Sequence, residues 1–343
     1  MKRHLNTLFV LTQDSYLAKD GECIAVRVDH QTKARIPAHT LESIVCFGQI
    51  GCSPQLMAHC AENGIGFTYL TLYGRFLATV QGAQAGNVLL RRTQYRWADD
   101  PTRSAALARW VLKAKLHNAR VSLRRAARET GSDMARDALT KAADGQAAAI
   151  MRLDREADLD GLRGVEGDAA ATYWSAFNYL IGRDEPAFNF AGRNRRPPRD
   201  AVNCLLSFLY TICAHDLRGA LQGVGLDPYV GYLHRDRPGR ASLALDMMEE
   251  FRPFLVDRLV LSLINRRQVS EASFQTLDGG GVVMDDEARK EVLAAWQKRK
   301  QDTITHPFLG ETVPIGLLFH LQALLLARHI RGDLDGYPAF LWS

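Results

Sequence analysis

Over roughly the first 80 residues the apolar positions fall in short β-like runs: Thr7–Leu11, Cys23–Val28, Ser43–Phe47, Gly66–Leu70 and Phe76–Val80. Asp-Gly, Pro and Gly punctuation separates them, and runs of that length between turn residues predict strands. One helix interrupts the series. Ser53 is placed to cap it, Pro54 suits its first position, Leu56, Met57 and Cys60 share a face, and Gly64 ends it. From about Asn87 the period lengthens to three and four residues, as in Leu107, Trp110, Val111 and Ala114. Helices are predicted there and around Ser132–Ile150, Asp168–Ile181, Ala201–Leu221, Ser242–Asn265, Asp285–Arg299 and Leu317–Arg331. The expected architecture is α+β: an N-terminal β-domain over residues 1–85, then a large all-α C-terminal domain over 86–343.

With 343 residues, 47% hydrophobic and 24% charged, the composition is that of a globular protein and excludes collagen-like and disordered classes. The apolar run Leu317–Ala327 is interrupted by His320 and Gln322 and falls short of the roughly 20 residues a membrane span requires. No signal sequence is evident after Met1-Lys2-Arg3-His4, so the expected location is cytoplasmic and away from membranes. Cys23, Cys46, Cys52, Cys60, Cys204 and Cys213 are too sparse for a disulfide scaffold and form no C-x-x-C pair, which predicts reduced thiols in the core.

Charge changes this picture in the middle of the chain. Residues 1–85 hold 7 basic and 6 acidic side chains, residues 86–200 hold 21 and 15, and residues 201–343 hold 15 and 17. Between Arg91 and Arg128, 11 Lys or Arg face only Asp99 and Asp100. Such an excess reads either as a surface for a polyanion or as a solvated helix face.

Three segments place acids and imidazole beside structural punctuation. In Gly164-Val165-Glu166-Gly167-Asp168, Glu166 is expected near a helix start, where an acid also simply complements the helix dipole. In Gly231-Tyr232-Leu233-His234, His234 sits in a polar loop before a helix capped by Ser242, as an exposed loop histidine or a metal ligand. In Leu245-Asp246-Met247-Met248-Glu249-Glu250, the acids Asp246, Glu249 and Glu250 share a helical face. Their mutual repulsion calls for an opposing cation, either a metal or a basic group such as Arg240 or Arg252. Carboxylates with one imidazole form a hard donor set that suits Mg²⁺ or Mn²⁺ and phosphate chemistry.

These segments carry a resemblance. The Gly164–Gly167 motif with Tyr173-Trp174, the run Arg196-Pro197-Pro198-Arg199-Asp200 through Tyr210, and Gly231–His234 through Leu245–Pro253 resemble the CRISPR-associated endonuclease one family, the adaptation integrase. The type I-C members are the most similar, and the likeness spans essentially the whole chain. It implies a metal-dependent DNA integrase and nuclease. The family's metal ligands fall on Glu166, His234 and Glu249, with Asp246 at the rim of the site. It also implies a homodimer held through the β-domain and bridged by CRISPR-associated protein two. In the implied reaction a prespacer 3′-hydroxyl attacks a phosphodiester at the leader–repeat boundary, and the same site nicks DNA. Candidate DNA-binding residues are Arg193, Arg195, Arg196, Arg240, Lys298, Arg299 and Lys300, each of which also fits a solvated surface. The rival readings are a structure-specific DNA repair nuclease, which only cleaves, and an architectural DNA binder indifferent to Glu166 and His234.

Overall fold

The computed structural model describes residues 6–74, 76–80, 82, 87–183 and 185–342. The chain forms two compact units, one of residues 1–86, 284–302 and 315–317, the other of 87–283, 303–314 and 318–343. The boundary expected at 85/86 falls among residues 83–86, outside the described residues.

The first unit begins β1 (Asn6–Val10), β2 (Tyr16–Asp20), β3 (Cys23–Val28), β4 (Gln31–Pro37), β5 (Leu41–Phe47) and β6 (Gly51–Cys52). It continues through α1 (Pro54–Glu62), β7 (Gly66–Leu70) and β8 (Phe76–Val80). These strands make two four-stranded sheets, in the orders β1-β5-β7-β8 and β4-β3-β2-β6. β5 is central and parallel to both β1 and β7, so both of its faces are covered and Ile44, Val45, Cys46 and Phe47 read as one unbroken apolar run. Ser53 caps α1 as its sequence predicts, its Oγ accepting from the Leu56 N–H at 3.2 Å. The hydrophobic pattern does not predict β2, β4 or β6. β4 is almost wholly exposed and polar, and only its antiparallel pairing with β3 makes it a strand.

The second unit holds α2 (Val88–Ala98), α3 (Pro101–Glu129), α4 (Asp133–Leu153), α5 (Leu159–Ala176), α6 (Ala201–Gly223), α7 (Ser242–Met248) and α8 (Arg258–Asn265). A hairpin of β9 (Phe274–Thr276) and β10 (Val282–Met284) precedes α9 (Asp286–Gln301). A second hairpin, β11 (Thr303–Thr305) and β12 (Thr312–Pro314), precedes α10 (Leu318–Arg331). Asp100 starts α3 by accepting from the Thr102 and Arg103 N–H groups, with Pro101 in the first turn. The apolar stripe of Ala105, Ala108, Leu112 and Leu116 on α3 packs on Ala149 and Leu153 of α4 and on Leu162, Val165 and Ala169 of α5.

Four expectations need correction. The C-terminal part is not all-α, because two short hairpins interrupt it. α9 is part of the first unit, where Gln297 donates to the Thr7 carbonyl at 2.8 Å and Arg289 donates to that of Leu72. α5 starts at Leu159, capped by Asp158, so Glu166 lies inside the helix and not at its start. The expected helix Ser242–Asn265 is broken: α7 ends at Met248, and residues Arg252–Asp257 form a wider π-turn before α8. Pro253 offers no N–H to the helical ladder and its ring crowds the carbonyl one turn back, which prevents a continuous α-helix. Among the described residues no helix is long and apolar enough to cross a membrane. The cysteines are free, with Cys46, Cys60, Cys204 and Cys213 buried and Cys23 and Cys52 half-buried.

Candidate active site

Three helical elements of the second unit converge on one buried cluster. α5 presents Glu166, the segment after α7 presents Glu249, and α3 places Lys115 between them. The Lys115 ammonium pairs with Glu166 and stands 2.9 Å from Glu249 Oε2, while Arg252 Nη1 is 2.7 Å from Glu249 Oε1. Glu249 is 2% exposed. Burial alone would raise its pKa, but Arg252 and Lys115 outweigh burial and hold it down at about 2. Burial likewise opposes the charge on Lys115, and Glu249 and Glu166 overcome it, holding that pKa up. Glu249 Oε2 is buried, and the Lys115 ammonium is the charge against it.

Asp246 organises the third group. Its Oδ2 accepts from the Tyr232 and Leu233 N–H groups at 2.6 and 3.0 Å, and its Oδ1 accepts from the His234 N–H at 3.0 Å. The His234 Nδ1 lies 2.7 Å from the same Oδ1. With the proton on Nδ1, the imidazole turns its Nε2 lone pair toward Glu249 Oε1, 3.8 Å away. Close packing fixes this loop: a Cβ at Gly231 would come within 2.8 Å of Asp246 Oδ2 and 2.7 Å of the Ser242 backbone. Ser242 is the first residue of α7 and gives no side-chain cap, contrary to expectation; its Oγ lies 3.4 Å from the Arg235 carbonyl.

Of the three acids expected on one face, Asp246 and Glu249 both face His234, whereas Glu250 does not join them. Glu250 turns away to Tyr337 Oη (2.6 Å), Gln322 Nε2 (2.8 Å) and the Phe340 N–H (2.8 Å). Burial raises its pKa to about 7 against those three donors. Of the two cations expected opposite the acids, Arg252 takes that place. At the end of the π-turn, Asp257 accepts from Tyr210 Oη of α6 at 2.5 Å and from Tyr173 Oη of α5 at 2.9 Å. That bridge ties the helix bearing Glu166 to the segment bearing Glu249 and Arg252, and sequence reasoning missed it.

The basic candidates divide. Arg195 and Arg196 are exposed, and with Arg237 they surround the half-buried Arg240, whose pKa falls through burial and their charge despite nearby Asp246. Lys298 is exposed on α9, and Arg299 pairs with Asp302 at 2.8 Å. Two candidates are corrected. Arg193 points inward, donating to Asn203 Oδ1 at 2.6 Å and Ser207 Oγ at 3.0 Å with its guanidinium over Tyr210. Lys300 is 1% exposed, its stem packing so closely on Gly316 that a Cβ there would come within 3.0 Å of it. The Arg91–Arg128 run is also partly committed internally: Arg109 holds the Leu153 and Glu156 carbonyls, Arg124 pairs with Asp144, and Lys115 enters the acidic cluster.

Among the described residues no three His, Cys, Asp or Glu side chains stand close enough together to hold an ion, since an ammonium lies between the glutamates. The donor chemistry still fits a hard divalent cation. It offers the carboxylates of Glu166 and Glu249, the latter with a buried oxygen, and an imidazole whose Nε2 faces Glu249.

Buried acids and an oriented imidazole beneath exposed arginines are the equipment of a phosphodiester-processing enzyme. The family model described as CRISPR associated protein Cas1 matches residues 8–298. The "CRISPR-associated endonuclease Cas1 1" of Chlorobaculum tepidum is 54% identical over 342 residues, covering 100% of both chains. The chain therefore belongs to the Cas1 family of CRISPR-associated endonucleases. Two solved structures share its fold. A Cas6-RT-Cas1–Cas2 complex matches with a TM-score of 0.83 at 22% identity, over 100% of this chain and 36% of that one. A casposase bound to integration product matches with a TM-score of 0.82 at 19% identity, over 98% of this chain and 94% of that one.

Proposed function

We propose that this chain joins the 3′-hydroxyl ends of prespacer DNA to the leader–repeat boundary of a CRISPR array by transesterification, and nicks DNA at the same site. Glu166, His234 and Glu249 would hold Mg²⁺ or Mn²⁺. Such an ion polarises the attacked phosphate and offsets charge on the leaving oxygen. The observation that carries the reading is the Asp246 arrangement, which fixes both the His234 loop and its ring so that Nε2 faces Glu249. Asp246 is then a positioning residue and not a ligand, and Glu249 is the acid at the reacting centre. Arg195, Arg196 and Arg240 hold phosphates, and Lys298 and Arg299 of the first unit are separate candidate DNA contacts. The protein acts as a homodimer through the first unit, with Cas2 as partner in the integration complex. A solved Cas6-RT-Cas1–Cas2 complex of the same fold supports the Cas2 assignment.

The test incubates labelled prespacer, supercoiled array plasmid, Cas2 and Mn²⁺ or Mg²⁺ with the parental protein and with Glu166→Ala, His234→Ala and Glu249→Ala. Parental protein should give joined product, and each variant should lose it while still binding DNA. Cleavage without joining would favour a repair nuclease. Binding alone, equal in all four proteins, would leave an architectural role.

A further inference from the structure

Lys115 has no role in the reaction as described, yet it occupies the middle of the site. Its side chain is 13% exposed, it comes from α3, 51 residues away from Glu166 in sequence, and it touches both glutamates. With Arg252 on the other Glu249 oxygen, the two glutamates are already balanced by two cations. A divalent ion added to that set would bring like charge into a site of low dielectric, where repulsion is strong. The Lys115 contact is also the one best suited to be given up. Glu166, its nearer partner, is 31% exposed, and a lysine stem of four methylenes can carry its ammonium elsewhere.

We propose that Lys115 is the resident counter-cation of this centre, occupying the space between Glu166 and Glu249, and that a divalent ion enters by displacing its ammonium. The inference rests on the metal-ligand reading above and adds that ion affinity is set by competition with a charge built into the fold. Removing that charge should tighten ion binding, whereas losing a cation that merely props the ligands would loosen it.

Titration of the full-length protein with Mn²⁺, read by the loss of the free aqua-ion EPR signal, separates these outcomes. Lys115→Met, which keeps the length and removes the charge, should bind Mn²⁺ at least tenfold more tightly than the parent. Lys115→Arg, which keeps the charge, should bind no more tightly. Melting gives a second reading: Lys115→Met should melt lower without metal and gain more from Mn²⁺ than the parent does. If Lys115→Met fails to fold, Lys115→Gln is read in the same way. Equal or weaker Mn²⁺ binding in the neutral variants, while His234→Ala and Glu249→Gln weaken it, would overturn the role of Lys115 and leave the ligand assignment standing. Binding unaffected by His234→Ala and Glu249→Gln would place the ion elsewhere and overturn both.

Discussion

Replacing Asp257 with Asn should remove a defined part of the pH dependence of stability. The carboxyl is 1% exposed between two tyrosine hydroxyls, and its pKa is raised from 3.8 to about 6. Burial is the largest cause, opposed by the hydrogen bonds from Tyr210 and Tyr173 and by the charge of Arg252. The folded chain therefore keeps a proton that the unfolded chain has given up. The stability this proton contributes is complete below about pH 4 and is lost as pH rises through about 6. A gap of about two pH units at ~1.4 kcal/mol each makes the loss about 3 kcal/mol. Asparagine mimics the protonated acid, with an amide N–H to one tyrosine oxygen and a carbonyl accepting from the other, and it does not titrate. Urea unfolding at a series of pH values, followed by tryptophan fluorescence, has a local probe in Trp174, whose ring lies 5.0 Å from that of Tyr173. Glu250 titrates over an overlapping range but is common to both proteins, so it cancels from their difference. Relative to the parent, Asp257→Asn should gain about 3 kcal/mol between about pH 4 and 6.5 and no more above that. A difference that stays flat across this range would refute the argument.

Asp246→Asn puts an amide N–H against either the His234 ring or the Tyr232 and Leu233 N–H groups. Joining should fall about 10- to 100-fold with DNA affinity unchanged, and a parental rate would remove Asp246 from the positioning role. Neutralising Arg195, Arg196 and Arg240 together should lower the slope of log affinity against log salt by about one for each phosphate no longer neutralised, whereas Arg193→Ala should mainly lower the melting temperature. An unchanged slope in the triple variant would move the DNA path away from this cluster. Leu77 is 50% exposed on β8, an edge strand of the first unit, so Leu77→Asp should give monomers in sedimentation equilibrium. Dimers persisting at micromolar protein would place the subunit interface elsewhere.

The strands of the first unit were legible wherever both faces are buried, because such strands read as apolar runs; β4, exposed on nearly every residue, has no such pattern to read. Glycines misled at Glu166. Gly164 and Gly167 look like punctuation before a helix, but they lie within α5, whose cap is Asp158, several residues upstream. The acids and His234 could be singled out because their chemistry is local to short motifs. Lys115 could not, since its partners are 51 and 134 residues away and its neighbours in sequence, Lys113, Ala114, Leu116 and His117, form no acid or imidazole motif with it. The burial of Lys300 is similarly invisible in a run that looks like a basic helix end, because it depends on Gly316 arriving from a later segment. α9 was recognised as a helix, but its membership of the first unit depends on long-range contacts that no local pattern encodes.

The π-turn at Arg252–Asp257 makes chain length itself a constraint. Val256 N reaches back five residues to the Phe251 carbonyl, so this turn holds one residue more than an α-turn would. Removing one residue between Phe254 and Val256 would shorten this turn by one position and rotate everything downstream by about 100° relative to Glu249. Asp257 would then swing off Tyr173 and Tyr210, although every side chain that makes the bridge would still be present. The stretch should therefore accept changes of residue type that keep its volume, such as Leu255→Met, far better than it accepts a single deletion. A scan of one-residue deletions through 254–256 should cost more function than volume-keeping substitutions at the same positions.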